Sequence, residues 1–343
     1  MRKVSLVDYG VLKLENAPRI ESLLPGTVKV DVNACGICGS DIALFRGQRD
    51  LKNERYFGHE FSGTVLDAGL EANGIKKGMR VASELNRTCG QCWYCLNGLP
   101  NYCRSMNDAL LPGGFTEETL VRNEPDYSFL TPIPDTLDDI TATLLEPTNC
   151  SYHAVLQGKV KKGDTVAVFG LGTMGLIAAR IAKAYGAAHV IGIGRNAGKL
   201  QKIRELNYCE TVNCKDPDWV EQLCEIVGEH GVDVVIEATG AASVLQDAMK
   251  VIRHGGRIVV MSVYHDNPGI ELWPIMRKEI TIVGSKGPYP IRKTDGSSAS
   301  VEILNELQDD LKKLITVYDY KDALQAFDDM MAGRCFKTVI SFK

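Results

Sequence analysis

Nowhere in these 343 residues do apolar side chains run uninterrupted for anything near about 18 positions, which argues against a membrane-spanning helix. Met1-Arg2-Lys3-Val4-Ser5-Leu6-Val7-Asp8 has no long apolar core and no signal-peptide shape, so export is not expected. A cytoplasmic location is therefore expected. Positive charge is not in excess: Lys and Arg total 39 against 43 Asp and Glu, a net charge of -4. No global basic field invites nucleic acid. Long-period repeats and low-complexity tracts are absent. The 11 cysteines lack the export context of a disulfide framework, and in a reducing compartment clustered cysteines more often hold metal. What remains is an ordinary globular composition, 45% hydrophobic and 24% charged, with a length that predicts about two domains.

Metal-ligand residue types gather in two places. Cys38-Gly39-Ser40-Asp41 is followed about twenty residues later by Gly58-His59-Glu60. A thiolate, an imidazole and a carboxylate on two loops suit Zn²⁺ and leave part of its coordination free, as a catalytic zinc needs. Each residue alone reads more readily as a buried Cys, a core His or a surface Glu, and it is the rest of the chain that favours the metal. Cys35 and Cys38 also have the spacing of a redox pair, but a second glycine follows at once where a helix N-terminus is required. Cys38 is the expected ligand and Cys35 a small buried residue. The second cluster is Cys89, Cys92, Cys95 and Cys103. Four thiolates on one ion close its coordination, so this zinc is expected to be structural. An iron–sulfur reading lacks the Cys-Pro ending of the bacterial type, and a nucleic-acid zinc ribbon lacks flanking basic residues. Two Zn²⁺ per chain follow. Glu146, set against Pro147 in an apolar run, is either a further group near the catalytic metal or a surface-facing Glu at a helix boundary.

Alternation marks Thr27–Val32 as a half-buried strand. Recurrent glycines from Gly63 to Gly78 suggest short, bent strands of a small barrel. A helix is expected from Asp138 to Pro147. Phe45 to Arg55 is a charged loop whose Arg46, Arg49 and Arg55 form a solvated face or meet an anionic or hydroxyl-rich substrate. Cys150, Cys209, Cys214, Cys224 and Cys335 show no ligand spacing. His153, His189, His230, His254 and His265 read as structural or exposed.

Thr165–Phe169 is an apolar strand, followed directly by Gly170-Leu171-Gly172-Thr173-Met174-Gly175 and a helical pattern. A GxGxxG between strand and helix predicts a dinucleotide site: a tight turn at Gly170, close approach to pyrophosphate at Gly172, and helix–strand packing at Gly175. The helix N-terminus offers free N–H groups to the phosphates. Residues 164–285 continue as a doubly wound parallel sheet. At the end of the second strand, the acid expected of an NAD enzyme is missing. Gly194-Arg195-Asn196 and Lys199 stand there instead, so NADP is favoured over NAD. Thr173, Met174, Thr239 and Met261 are further expected cofactor contacts.

Together these motifs resemble the zinc-dependent medium-chain dehydrogenase/reductase family, which includes alcohol, sorbitol and threonine dehydrogenases. The likeness covers nearly the whole chain. It rests on Gly58-His59-Glu60-Phe61-Ser62-Gly63 with Gly69 downstream, the four-cysteine lobe and the placed GxGxxG. It implies an α/β architecture with two parts: a GroES-like bent β catalytic domain, residues 1–147 and 289–343 with its zinc lobe at 86–105, and a Rossmann domain, residues 148–288. It implies Cys38 and His59 as catalytic zinc ligands, Glu60 as ligand or neighbour of one, and Asp41 orienting His59. Ser40 matches the hydroxyl that passes the substrate proton. A homodimer or homotetramer is implied. Glu146-Pro147, where alcohol dehydrogenases have Cys, is closer to polyol and sugar dehydrogenases. Relatives often carry a His at the place of Ala43, so Ser40 would hand its proton to water or another group. The expected reaction moves hydride between NAD(P) and a secondary alcohol of a polyol, cyclitol, sugar or sugar acid. A simple alcohol or amino-alcohol dehydrogenase, a zinc-independent reductase of the same fold and a binding module without turnover are the alternatives.

Overall fold

The computed structural model describes residues 1–51, 57–69, 74–85, 88–105, 113–122, 129–264 and 269–343, without the side chain of Ala242. Arg55, His265 and the first two residues of the cysteine lobe lie outside them. The described chain divides into two compact units, residues 1–149 with 288–343, and residues 150–287.

The first unit opens with the hairpin β1 (Arg2–Asp8) and β2 (Val11–Asn16). There follow β3 (Thr27–Gly36), α1 (Gly39–Phe45), β4 (Glu60–Ala68), β5 (Arg80–Ser83), α2 (Trp93–Leu96), β6 (Glu118–Arg122), β7 (Leu130–Pro132) and α3 (Asp139–Ala142). The alternation in Val28, Val30 and Val32 buries those side chains completely, as period two on a half-covered strand requires. They join Phe57, Phe61, Phe115, Phe129 and Phe327 in one core. The single helix expected over 138–147 is two. α3 ends at Ala142 and α4 (Leu145–Gly158) begins three residues on. Pro147 lies in the first turn of α4, where a helix has no use for its missing N–H.

The second unit carries β8 (Thr165–Phe169), α5 (Thr173–Ala184), β9 (His189–Gly194), α6 (Ala197–Glu205), β10 (Glu210–Asn213), α7 (Trp219–Val227), β11 (Val232–Glu237), α8 (Ala242–Val251), β12 (Ile252–Val260), α9 (Trp273–Lys278) and β13 (Thr281–Gly284). Its six strands are all parallel, in the order β10-β9-β8-β11-β12-β13. Strand order reverses between β8 and β11, and doubly wound sheets bind their ligands outside the strand C-termini at such a point.

The chain then returns to the first unit with α10 (Ala299–Glu306), α11 (Gln308–Lys312), β14 (Ile315–Asp319), α12 (Ala323–Met331) and β15 (Lys337–Ser341). β14 and β15 extend its sheet, giving the order β14-β15-β3-β4-β5-β7, with β6 also paired to β3. β3 therefore takes β4 on one side and the C-terminal strand on the other. In register, Gly36 faces Glu60 of β4 and Val339 of β15.

Candidate metal and dinucleotide sites

Cys38 lies two residues beyond β3 and caps the N-terminus of α1. His59 lies one residue before β4. Asp41, fully buried, ties the two approaches together: one oxygen accepts the Cys38 N–H at 2.8 Å and the other the Gly58 N–H at 3.0 Å. Burial pushes the Asp41 carboxyl up to about 6, against the opposing pull of His59 and the two N–H groups. Its oxygen stands 3.9 Å from His59 Nδ1, too long for a hydrogen bond. Asp41 thus acts on His59 through charge and by holding Gly58. That glycine has φ +78°, and a Cβ on it would lie 2.7 Å from the Phe115 ring. The His59 carbonyl accepts from Ser83 Oγ, which also takes the Phe61 N–H at 2.9 Å. β5 thereby fixes the start of β4.

The ligating atoms of Cys38, His59 and Glu60 all lie within 4.8 Å of one another. His59 is buried, which opposes its charge, yet the Cys38 thiolate, Asp41 and Glu146 hold its pKa well above the usual histidine range. A cluster that draws in a proton this strongly is one whose negative charge suits a cation. Glu146, buried in the first turn of α4, contributes to that field but lies outside the mutual 4.8 Å group. Ser40 is half-buried at the start of α1. Arg46 and Arg49 are exposed beyond the end of that helix.

Sequence reasoning missed Lys337. Its Nζ donates to Glu60 Oε2 and, at 3.0 Å, to the Ile37 carbonyl, with the side chain 1% exposed. Burial opposes its charge, but Glu60, Cys38 and Asp41 raise its pKa above the usual value. The side chain reaches Glu60 over Gly36, where a Cβ would stand 2.7 Å from Glu60 Oε2 and 2.8 Å from Lys337 Cε. The signal was there to find: a lysine inside Cys335–Ile340, every residue of which is buried.

Cys89, Cys92, Cys95 and Cys103 form the second cluster, also within 4.8 Å. Cys92 Sγ and Cys95 Sγ are 3.6 Å apart, close to the roughly 3.8 Å edge of a tetrahedron of zinc thiolates. The Cys103 and Cys89 sulfurs accept the N–H groups of Cys89 and Cys92 at 3.2 and 3.3 Å. Backbone N–H groups bring the Cys92 thiol down to about 6, while burial and the neighbouring sulfurs push Cys95 up to about 12. Four crowded thiols ionise together only around a cation. Both donor sets fit zinc, and they are the two such clusters among the described residues.

In the second unit, β8 ends at Phe169, and the next residue, Gly170, has φ +93°. A Cβ on Gly175 would lie 1.9 Å from the Gly170 carbonyl, so α5 meets the turn only through a glycine. Gly172 caps α5 with no side-chain acceptor, and the space over its Cα is open. A helix N-terminus with room above it suits a pyrophosphate. Thr173 and Met174 follow, half-buried. Arg195 and Asn196 are exposed at the end of β9 and Lys199 is half-buried. The Asn196 side-chain oxygen is committed to capping α6, accepting the Lys199 N–H at 3.0 Å. The Thr239 hydroxyl is engaged in its own turn, and Met261 is buried just past β12.

Comparison with known proteins matches residues 24–135 to the family model "Alcohol dehydrogenase GroES-like domain" and residues 173–300 to "Zinc-binding dehydrogenase". The chain is 31% identical over 321 residues to a sorbitol dehydrogenase of Halalkalibacterium halodurans, covering 92% of this chain and 91% of that protein. Among solved structures it is similar to an Escherichia coli CFT073 alcohol dehydrogenase complexed with NADH, at 25% identity and TM-score 0.83 over 100% and 99% of the two chains. A Sinorhizobium meliloti 1021 structure bound to NADP matches at 28% identity and TM-score 0.82 over 99% and 98%.

Proposed function

The chain belongs to the zinc-dependent medium-chain dehydrogenase/reductase family, and on that premise we propose that it oxidises a secondary alcohol of a polyol, cyclitol, sugar or sugar acid, or reduces the matching ketone, with NADP(H) preferred to NAD(H). The observation that carries this reading is the cluster of Cys38, His59 and Glu60, three donors from the turn between β3 and α1 and from the start of β4, one short of a closed tetrahedral shell. The four-cysteine lobe takes the structural role, because its donors leave nothing for a substrate.

Zinc held by the Cys38 cluster would supply a Lewis acid for an alcohol oxygen, and NAD(P) bound in the second unit would supply the hydride acceptor. The chain's own residues do the rest. Cys38 and His59 hold the metal, and Asp41 keeps their loops in place. Glu60, drawn toward Lys337, is held in reserve beside the metal position, and Glu146 adds to the negative field at His59. Ser40 takes the alcohol proton and passes it to water, since Ala43 offers no relay. In the dinucleotide unit the loop Gly170–Gly175 receives the pyrophosphate with Thr173 and Met174 beside it, and Thr239 and Met261 line the nucleotide crevice. Arg195, with Asn196 and Lys199, meets the 2′-phosphate where an acid would repel it. The NADP-bound relative supports that choice and the NADH-bound one opposes it. The sorbitol dehydrogenase relative and Glu146-Pro147 support the polyol class. The enzyme is further read as a cytoplasmic homodimer or homotetramer. Among the described residues, no helix is long and apolar enough to cross a membrane.

A panel of polyols, cyclitols and sugar acids, assayed with NAD⁺ and NADP⁺ in parallel by absorbance of the reduced cofactor, tests this. Turnover of one of these classes, faster with NADP⁺, is expected. Activity confined to simple alcohols, or equal with both cofactors, would reject the substrate or cofactor assignment respectively.

A further inference from the structure

Glu237 is the last residue of β11, level with Phe169 of β8 and Val260 of β12. It is fully buried. One carboxylate oxygen accepts three hydrogen bonds, from the Thr239 N–H at 2.6 Å, the Thr239 hydroxyl at 2.5 Å and the Gly240 N–H at 3.1 Å. These close the turn after β11 against the glycine loop, where a Cβ on Gly170 would stand 2.7 Å from the Ala238 carbonyl. The other oxygen, Oε2, has no hydrogen-bond partner among the described residues, cationic side chains included. The Tyr264 hydroxyl is likewise a buried polar atom without a hydrogen-bond partner among the described residues. Burial first, and then the Glu237 carboxylate, push its pKa up, yet it makes no well-aligned hydrogen bond.

A buried carboxylate without a counter-charge is costly to keep unless something in the working protein uses it. Its place is the C-terminal end of the strand beside the topological switch, where a dinucleotide lies. The dinucleotide carries phosphates in both redox states, and they respond to Glu237 alike in each. The states differ in the nicotinamide ring. Alcohol oxidation moves a hydride, two electrons and one proton, from carbon to the ring and cancels its positive charge, while the alcohol's other proton leaves through the protein.

We propose that Glu237 is a positioning residue whose buried charge, moderated by the Tyr264 hydroxyl, biases the site toward the oxidised, cationic cofactor. This rests on the dinucleotide reading above. Two unit charges about 10–15 Å apart at an effective dielectric of about 20 change an equilibrium by roughly five- to fifteenfold.

Isothermal calorimetry on the zinc-loaded full chain with NADP⁺, NADPH, NAD⁺ and NADH tests it through the ratio of Kd for reduced over oxidised cofactor. In Glu237→Gln the amide oxygen still accepts from the turn while the charge is gone, and the ratio is expected to fall about fivefold. Tyr264→Phe removes the moderating hydroxyl, and the ratio is expected to rise about twofold. Glu237→Gln weakening both states equally, with the ratio unchanged, would mean that the residue only builds the turn and would overturn the proposal. If Glu237→Gln does not fold, Tyr264→Phe decides: a rise supports the proposal, and no change or a fall overturns it. Wild-type protein that binds neither redox state would overturn the dinucleotide reading along with it.

Discussion

Glu60, one of the three donors of the metal cluster, and Lys337 bury opposite charges against each other. Removing one partner of such a pair costs about 3–5 kcal/mol, whereas replacing both by neutral groups is often nearly free. In chelator-treated protein, Lys337→Met is therefore expected to lower unfolding stability by about 3–5 kcal/mol. Glu60→Gln with Lys337→Met should recover most of it, as read from urea unfolding. Equal losses in the single and double variants would show that the lysine matters for packing alone. At this scale the sequence was legible where chemistry repeats at short spacing: the lobe's cysteines and Gly58-His59-Glu60 announce themselves. Glu60's partner did not, because 277 residues separate the pair and only the sheet brings them together. Glu237 escaped notice for another reason. An acid at a strand end reads as solvent-exposed until the turn that buries it is seen.

Among elements, the loop from β8 into α5 shows how far a motif can be read. The roles assigned to Gly170 and Gly175 from spacing correspond to a positive φ and to a 1.9 Å clash for any Cβ. Gly175→Ala must push α5 away from the turn. It is expected to weaken dinucleotide binding at least about tenfold, equivalent to about 1.4 kcal/mol, with zinc content unchanged. Calorimetry and metal analysis on the same sample check both halves, and unaltered affinity would remove the loop from the binding site. Periodicity was less informative over 138–147, where one expected helix is two. An apolar stripe continues across Thr143 and Leu144 although the backbone does not, and Pro147 marks a helix beginning rather than an end. Asn196 is a similar case. A residue type suited to a ribose contact is equally suited to a helix cap, and its side-chain oxygen is used for the cap.

Across the whole molecule, the first unit joins both ends of the chain, with β15 inserted beside β3. The alternation of Thr338 to Phe342 marks a strand, but a period of two says nothing about its neighbour. The likeness to a family raised the expectation of a domain made from both chain ends, but not of which strand β15 would join. What β15 brings is the cation that faces Glu60, so the chain's last strand completes the surroundings of ligands encoded in its first sixty residues. The central claim is that two metal ions of different role are held by the two donor clusters. Elemental analysis of the purified protein tests it most directly. About two zinc per chain are expected, falling to about one in His59→Ala, with turnover abolished and dinucleotide binding kept. One zinc or none in the unaltered, fully active protein, or undiminished turnover in His59→Ala, would contradict it.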